Sequence, residues 1–423
     1  LDIPFKVAVY VGLASILMCS MLGGMRAVTW TQVAQYIVLI IAYLLPVFWI
    51  SNKMGAGFFP HLMLGDEVAR IAELESQFGF VKNSAADLAT VPKGLAGITK
   101  AHSSVNGTNW GFISLAICMM AGTASLPHVM MRYFTTPSVK SARRSVAWSL
   151  LFIFLLYSTA PMLATLSKLS LIDPNLSTGI IGKSITEVQA LDWYQNWNQA
   201  KLMFVSDFNG NGTLELNEFF MGGKAVVLAT PEIAGLPYVI SGLVAAGGMA
   251  AAMSTADGLV LAIANALSHD LYYKIIDPKA ETAKRLIVAR VLLVLIGFAG
   301  ATIAAMKIQG ILGSVIWAFD FAMSGLFFPL VLGVWWKRAN AQGAVAGMLL
   351  GLAAGTWYLV HVRTGGAGFW GITQLTFGIV GSLVSLVSMV VVSLLTKAPD
   401  AKTQAMVDEV RIPSGKTVIG KQH

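Results

Sequence analysis

Residues 250–258, AAAMSTADG, have the composition of a small-cation site on one helix. Ala251, Ser254 and Thr255 stand at positions i, i+3 and i+4, so they share one helix face. Two hydroxyls and a nearby carbonyl are hard oxygen ligands that suit an alkali cation. Asp257 follows on the same helix, and a carboxylate within a membrane costs about 2.5–3.5 kcal/mol, which makes it a functional candidate. The alternative is that Ser254 and Thr255 serve helix packing or bond back to carbonyls of their own helix.

A second stretch, DFNGNGTLELNEFF (207–220), has the ligand order of a calcium-binding EF-hand loop. The glycine of the sharp turn is Gly212, and Leu214 occupies the apolar eighth position. The predicted ligands fall at positions 1, 3, 5, 7, 9 and 12 of the loop and are Asp207, Asn209, Asn211, Thr213, Glu215 and Glu218. Three carboxylates predict weak binding, and the preceding WYQNWNQAKLMFVS is expected to supply the incoming helix. The alternative is an Asn/Gly-rich turn without metal.

A third stretch, MMAGTASLPHVMMRYF (119–134), interrupts an apolar segment with glycine, proline and small polar residues. Such breaks are tolerated at membrane depth only where protein or a water-filled cavity satisfies the freed backbone groups, and in transporters they form substrate sites. The alternative is a proline-kinked helix packed through small residues. His128 follows the break and, taken alone, is more often a satisfied interface histidine.

Other polar residues in apolar segments are less informative. Asp320 lies in a Gly-rich span, where a gating residue, a coupling residue and a paired structural residue are equally compatible with the sequence. The contiguous Ser268, His269 and Asp270 cannot form a hydrolase triad, because neighbours on one helix do not reach that geometry. No nucleophile and base pair within the spans, so we expect that the protein is not an enzyme.

These stretches must be positioned by helices in a membrane. The chain is 56% hydrophobic and 12% charged, whereas soluble domains carry about 25% charged residues. Apolar stretches long enough to cross a bilayer predict about nine transmembrane helices in an all-α polytopic membrane protein. They lie at 7–25, 27–52, 103–131, 145–167, 233–256 with a continuation to 268, 291–306, 308–336, 339–362 and 364–396. Cys19 and Cys118 fall inside these spans and are expected to be free thiols.

The net charge of +8 follows from topology rather than from nucleic-acid binding. If the spans alternate, the basic short connections lie on one side, together with the tail 396–423. Basic short loops stay cytoplasmic, so this side and the tail are predicted to be inside. The connecting residues concerned are Arg26, Arg132, Lys140, Arg143, Arg144, Lys274, Lys279, Lys284, Arg285, Arg290, Lys337 and Arg338.

Two long loops, 52–108 and 168–235, then face the extracytoplasmic side of the inner (plasma) membrane. The first contains GDEVARIAELESQF (65–78), where Val68, Ile71, Leu74 and Phe78 recur near helical spacing and predict an amphipathic surface helix. The second contains the EF-hand-like loop 207–218, where extracellular calcium needs only weak affinity. A structural clip is expected, since no second loop of this type accompanies it.

Three motifs together resemble the solute:sodium symporter family, with the cation/acetate symporters as the most similar branch. They are GGMRAVTWTQVAQ (23–35), GTASLPHVMMRYF (122–134) and MSTADG…SHDLYY (253–273), in the family's order and spacing. The resemblance covers about residues 5 to 395, and we treat residues 1–395 as one transporter domain followed by the cytoplasmic tail 396–423. It implies a leucine-transporter-like fold of inverted repeats, with 7–24 and 32–51 as the fourth and fifth core helices.

The resemblance also implies roles for the motif residues. Ala251, Ser254 and Thr255 match the family's sodium ligands on the eighth core helix, with Asp257 added on the same helix. The unwound substrate segment corresponds to Gly122, Thr123, Ser125 and His128. Gln32 stands where many members have an acidic residue important for the cation, which argues against a second sodium there. The chain starts at Leu1, and we expect it to be the remainder of a longer protein without its first core helix.

The sequence thus predicts a secondary active transporter that couples inward sodium flow to uptake of a small organic solute. A monocarboxylate such as acetate is expected, although acetate symporters lack the Ser-Thr pair kept here. Sodium is the coupling ion, calcium is expected in the outer loop, and the partners are the lipid bilayer and the solute, with no nucleic acid and no obligate protein partner. Two alternatives remain open: proton coupling through Asp257, and a sensor with a transporter fold, which would need a signalling domain that 396–423 is too short to form.

Overall fold

The computed structural model describes residues 4–78, except 56 and 58, and residues 109–411, except 309; parts of the predicted span 103–131, the outer loop 52–108 and the tail lie outside the described residues. The structure is dominated by α-helices. In chain order they are α1 Phe5–Lys53, α2 Leu64–Gln77, α3 Asn109–Ala124, α4 Pro127–Met130, α5 Val139–Ile172, α6 Ile185–Gln189, α7 Asp192–Gln199, α8 Val226–Ile233, α9 Tyr238–Asn265, α10 Thr282–Ala305, α11 Ile311–Ala322, α12 Phe328–Trp335, α13 Ala341–Arg363, α14 Gly378–Leu395 and α15 Ala401–Arg411.

Shorter elements complete this order. Strands β1 (Met203–Val205) and β2 (Phe219–Met221) pair antiparallel. Two π-helical segments, Ala266–Ile276 and Met323–Phe327, continue α9 and α11. The 3₁₀ turns are Pro60–Leu62, Met131–Thr135 and Phe369–Gly371.

The described residues contain seven helices long and apolar enough to cross a membrane, or eight if the bent pair α3 and α4 forms one span. Phe5–Met21 is a shorter apolar helix, so each of the nine predicted spans has a helical counterpart. The predicted boundary between the first two spans is a kink inside α1, where Gly24 has φ 56° and ψ −159°. The mostly helical, polytopic fold class is therefore confirmed.

Two predicted span boundaries were wrong. The last span was predicted from residue 364, but α14 begins only at Gly378, because glycines at positive φ hold 365–371 in turns. The span predicted at 291–306 begins earlier, at Thr282. The apolar pattern places the charged Lys284, Arg285 and Arg290 outside this span. In the structure they belong to the first turns of α10.

The described chain divides into two compact units. One comprises Ile16–Lys100 and Trp148–Gly258, and the other comprises Leu1–Ser15, Ala101–Ala147 and Leu259–His423. Three of the four boundaries between them fall inside α1, α5 and α9, and the fourth, between residues 100 and 101, lies outside the described residues.

The first unit has an apolar core that joins α2 to the end of α5 and to the long connection 168–235. Ile71 and Leu74 are buried in this core, whereas Val68 and Phe78 are exposed, so α2 is amphipathic as predicted but buries only part of the predicted face. Ion pairs between α2 and the end of α5, Arg70 with Asp173 and Glu75 with Lys168, add to this packing.

In the second unit, α13 and α14 pack through small residues. Gly351 and Gly355 of α13 face Ser324, and Gly381 of α14 faces the same serine. Small residues allow helix backbones to approach closely. This matters in a membrane because lipid is as apolar as the side chains, so helices associate through close packing rather than through the hydrophobic effect. This packing fixes α14 against the π-helical segment after α11.

Candidate ion and solute sites

The predicted cation face is present on α9. The Ser254 hydroxyl donates to the Ala251 carbonyl at 3.0 Å, and the Thr255 hydroxyl reaches the same carbonyl at 3.4 Å. These are the back-bonds that the alternative interpretation predicted. They also bring three oxygens together, and each hydroxyl oxygen keeps lone pairs for a cation. The residues therefore fit a site for a small monovalent cation.

Gln32 of α1 reaches this face from another helix. Its side-chain amide donates to the Ser254 carbonyl at 2.5 Å, and its side chain is almost fully buried. The amide is neutral and points a donor, not an oxygen, at α9. A nearby side chain, Gln35, has a buried carbonyl oxygen without a hydrogen-bond partner.

Asp257 is fully buried, and its contact is with α1. The Ser20 hydroxyl donates to Asp257 Oδ1 at 3.3 Å, and Oδ2 has no hydrogen-bond partner. Within the described residues, no lysine, arginine or histidine forms an ion pair with this carboxyl group. The sequence analysis did not identify Ser20. The available signal was its polar side chain within the apolar run SILMCSML.

The end of α9 does not carry hydrolytic chemistry. His269 Nδ1 lies 3.0 Å from Asp270 Oδ1, but both side chains are exposed neighbours, while Ser268 is buried. The contiguous Ser-His-Asp run does not assemble a nucleophile with its base.

The predicted break is present between α3 and α4. Helix α3 ends at Ala124, α4 starts at Pro127, and the two parts are bent by 47°. A Cβ atom on Gly122 would lie 2.6 Å from the Cβ atom and the carbonyl oxygen of Phe319. Only glycine allows α3 to approach α11 this closely, so the position of the break depends on this contact.

The polar side chains at the break differ in exposure. The Ser125 hydroxyl is fully buried and donates to the Ala121 carbonyl at 2.7 Å, so it stabilises the end of α3. The Thr123 side chain is exposed and donates to the Met119 carbonyl at 2.6 Å. His128 is half-buried. Thr123 and His128 are therefore the predicted solute residues with accessible polar atoms.

The two candidate sites lie in different units. Gly122, Thr123, Ser125 and His128 belong to the unit that contains Ala101–Ala147, and Ala251–Asp257 belongs to the unit that contains Trp148–Gly258. Each site therefore has its own local geometry.

The EF-hand-like loop connects β1 to β2. The predicted incoming helix is present only in its first half, since α7 ends at Gln199 and Met203–Val205 enters the loop as a strand. The physical reason is cross-strand pairing, in which Met203, Phe204 and Val205 align with Met221, Phe220 and Phe219. The eighth loop position is also paired, since Leu214 N–H donates to the Lys183 carbonyl at 2.8 Å.

Oxygens of the predicted calcium ligands bind backbone N–H groups inside the loop. The Asp207 carboxyl accepts from Gly210 and Gly212, at 2.7 and 3.0 Å. The buried Glu218 accepts from Phe208 and Glu215, each at 2.9 Å. Gly210 and Gly212 adopt φ values of 71° and 70°, which shape the turn. Within the described residues, no group of three or more His, Cys, Asp or Glu side chains is spaced to hold a metal.

Comparison with known proteins places these features in a family. A sequence model of the sodium:solute symporter family matches residues 1–179 and 224–351. The interval 180–223 between the two matched stretches contains the EF-hand-like loop. The helices that carry Gln32, Gly122 and Ser254 all lie within the matched parts.

Two curated relatives and one solved structure are similar to the chain. An uncharacterized symporter of Cupriavidus necator is 34% identical, over 94% of this chain and 70% of the relative. A monocarboxylic acid transporter of Corynebacterium glutamicum is 25% identical, over 82% of this chain and 54% of the relative. A Na⁺-coupled sialic acid symporter matches with a TM-score of 0.57 at 16% identity, over 95% of this chain and 69% of that one, and supports the fold.

Proposed function

Since this chain belongs to the sodium:solute symporter family, we propose that it carries out sodium-coupled symport of a small organic solute, with a monocarboxylate as the solute. The chain spans 70% and 54% of the length of the two relatives. The proposal includes a plasma-membrane location, with the basic connections cytoplasmic and the long loops outside.

One observation carries the sodium assignment. The oxygens of Ala251, Ser254 and Thr255 converge within one turn of α9, with hydroxyl-to-carbonyl distances of 3.0 and 3.4 Å. All three are neutral. A neutral oxygen site binds sodium firmly enough to be loaded and weakly enough to release it in each transport cycle. Asp257 then adds a negative charge close to the ion without being needed as a direct ligand.

The solute proposal rests on the break and on one relative. The segment Gly122–His128 offers the half-buried His128, which can donate to a carboxylate, and the exposed Thr123 hydroxyl, which would exchange its bond to the Met119 carbonyl for one to the solute. Gly122 brings this segment against α11, and Ser125 stabilises the end of α3. The monocarboxylic acid transporter of Corynebacterium glutamicum gives the solute class by similarity.

Uptake by cells or vesicles that contain the protein tests this proposal. Labelled acetate, propionate, lactate and pyruvate are compared under an inward sodium gradient and under an equal potassium gradient. Accumulation with sodium and not with potassium is expected. Uptake that is equal under the sodium and potassium gradients would refute sodium coupling. Sodium-driven uptake of a sugar acid but of no short-chain acid would refute a monocarboxylate as the solute.

A proton-coupled mechanism is the second candidate, because Asp257 is buried and its Oδ2 has no hydrogen-bond partner. In that mechanism Asp257 carries the proton and the hydroxyls of Ser254 and Thr255 serve the helix. Asp257→Asn separates the two: a lost pH dependence with an unchanged sodium response favours the proton. A lost sodium response with an unchanged pH profile favours sodium.

We also propose that the loop 207–218 binds calcium and stabilises the outer loop. Each carboxylate oxygen can accept about two hydrogen bonds or bonds to a metal, so Asp207 and Glu218 retain lone pairs after binding their backbone N–H groups. Asn209, Asn211, Thr213 and Glu215 would complete the ligand set. The ion would connect β1 to β2 without taking part in transport.

A further inference from the structure

Asp320 of α11 is a buried carboxyl group that the proposed sodium and solute sites do not use. Its side chain is fully inaccessible, and neither oxygen has a hydrogen-bond partner. None of the ion pairs among the described residues includes it. A charged carboxylate cannot remain buried in this way, so Asp320 either binds a ligand or changes its surroundings when it ionises.

The start of α14 lies directly beside this carboxyl group. A Cβ atom on Gly378 would lie 2.8 Å from Asp320 Oδ1, so only glycine permits the approach. The turn before α14 is held in place by Trp317 of α11, whose indole N–H donates to the Gln374 carbonyl at 2.9 Å. The N–H groups of Phe377 and Gly378 lie next to the carboxyl group without forming aligned hydrogen bonds.

The titratable groups on the elements packed against α11 are few. Helix α3 contributes Cys118, which is fully buried beside Asp320. Helix α14 and the segment Met323–Phe327 contain none. On α13, the Tyr358 hydroxyl donates to the Ile372 carbonyl at 2.9 Å, His361 stacks on Trp357, and Arg363 lies 5.0 Å from the ring centre of Trp317.

The groups around Asp320 favour a proton over a metal cation as its ligand. Main-chain N–H groups, a helix N-terminus and a thiol present hydrogen atoms and positive potential to the carboxyl group. A metal cation needs several oxygen lone pairs and is disfavoured at the positive end of a helix. A proton needs only one carboxylate oxygen, and the neutral acid that it forms suits full burial without aligned hydrogen bonds better than the anion does.

The carboxyl group is also adjacent to the break in α3. Phe319, the residue before Asp320, is the one that Gly122 contacts, and Cys118 lies one turn before Gly122 on α3. A change around Asp320 therefore acts on both sides of the contact that positions Gly122–His128.

We propose that Asp320 is a proton-binding site whose ionisation changes the packing of α3 and α14 on α11. When the O–H bond of Asp320 breaks, its proton leaves to water and the electron pair stays on the carboxylate. The negative charge then draws in the α14 N–H groups, the Cys118 thiol or water, and each of these loosens the close packing at the break. The proposal requires neither the identity of the solute nor the sodium site.

Cys118 provides the reporter, because the chain contains only two cysteines, Cys19 and Cys118. The full chain with Cys19→Ser is reconstituted in vesicles of phosphatidylethanolamine and phosphatidylglycerol and labelled with N-ethylmaleimide from about pH 5 to about pH 9. The same series on a chain that also carries Asp320→Asn corrects for ionisation of the thiol itself. The ratio of the two rates is expected to be constant at low pH and to rise in a step as Asp320 loses its proton. The new carboxylate charge by itself disfavours the reactive thiolate and would lower the ratio, so a fall would overturn the proposed change in packing.

Three controls make the result decisive. A chain with Cys118→Ser and Cys19 retained should show no such step, and Asp320→Glu, which keeps a titratable group, should retain it. If Asp320→Asn does not fold, the infrared band of a protonated, buried carboxyl group should still disappear with rising pH in a chain that carries Asp257→Asn, which removes the other fully buried aspartate of the described spans. A flat rate ratio, no titrating carboxyl band, or a step whose midpoint pH shifts with sodium concentration would overturn the proposal.

Discussion

The side-chain amide of Gln32 donates a 2.5 Å hydrogen bond to the carbonyl oxygen of Ser254, across 222 residues of sequence. Gln32 occupies a position where family resemblance implies an acidic residue in many members. The contact shows what the neutral amide does here: it holds α1 on the turn of α9 that carries the proposed sodium ligands. A carboxylate at this place could not donate to the carbonyl unless it were protonated.

Gln32→Glu is therefore expected to make sodium-driven uptake depend on pH. At low pH the protonated acid replaces the amide as donor, and at high pH the carboxylate adds a negative charge that tightens sodium binding. The half-saturating sodium concentration, measured across pH for both proteins, should fall with rising pH only in the variant. Gln35→Glu is the matched control on the same helix, and an equal pH response in both variants would count against a specific role for Gln32.

Ser254→Ala and Thr255→Ala should each raise the sodium concentration needed for half-maximal uptake. Each removes one neutral oxygen, and a loss of about 1.4 kcal/mol of binding free energy corresponds to about a tenfold change. Solute affinity at saturating sodium should change less. Ser241→Ala, on the same helix, is the control. If both hydroxyl variants keep the original sodium dependence, the coupling ion binds elsewhere.

Gly122→Ala should impair transport and lower thermal stability, because its methyl group would lie 2.6 Å from the Cβ atom of Phe319. Forcing a methyl group into a packed contact typically costs about 1–3 kcal/mol. Melting temperature in detergent and solute affinity are the measurements. Gly300→Ala of α10, where an added methyl group meets nothing within 4 Å, should be neutral or stabilising. Equal behaviour of the two variants would show that the close contact does not exist.

Calcium should raise the melting temperature of the protein, and Glu218→Gln should abolish this effect. At ten times its dissociation constant, a ligand adds about 1.4 kcal/mol to the free energy of unfolding. The readout is the calcium-dependent shift, because Glu218 is buried and its loss also destabilises the loop directly. Glu187→Gln, at an exposed site on α6, should retain the shift. If millimolar calcium does not change the melting temperature of the unmodified protein, the loop 207–218 is an ordinary polar turn without metal.

Glu67→Gln, on α2, should reduce the pH dependence of the melting temperature. Burial raises the pKa of Glu67 above its ordinary value of 4.5, and Arg70 only partly offsets this. A carboxyl group whose pKa is raised by folding favours the folded state while protonated. Its contribution is therefore lost as pH rises from 4.5 through the folded pKa. Melting temperatures from acidic to neutral pH should fall less in Glu67→Gln than in Glu73→Gln, an exposed control on α2; equal curves would contradict the pKa shift.

Local patterns in the sequence determined several features of this protein. The spacing of Ala251, Ser254 and Thr255 fixed their common helix face, because an α-helix repeats every 3.6 residues wherever it lies. Gly122 and Pro127 determined the break in the same local way. Apolar length predicted the membrane-spanning helices, although the charged start of α10 and the glycine-rich turns before α14 displaced two boundaries.

Only the tertiary structure decided which residues meet these local features. Ser20 reaches Asp257 across 237 residues, and Gly122 fits against Phe319 of another helix. Pairing of β1 with β2 made a strand of the segment where a helix was expected before Asp207. Periodicity specifies which face of a helix is polar, but not what covers that face. Which helix packs on that face depends on close packing over many contacts between residues distant in sequence. These contacts cannot be read from a single sequence.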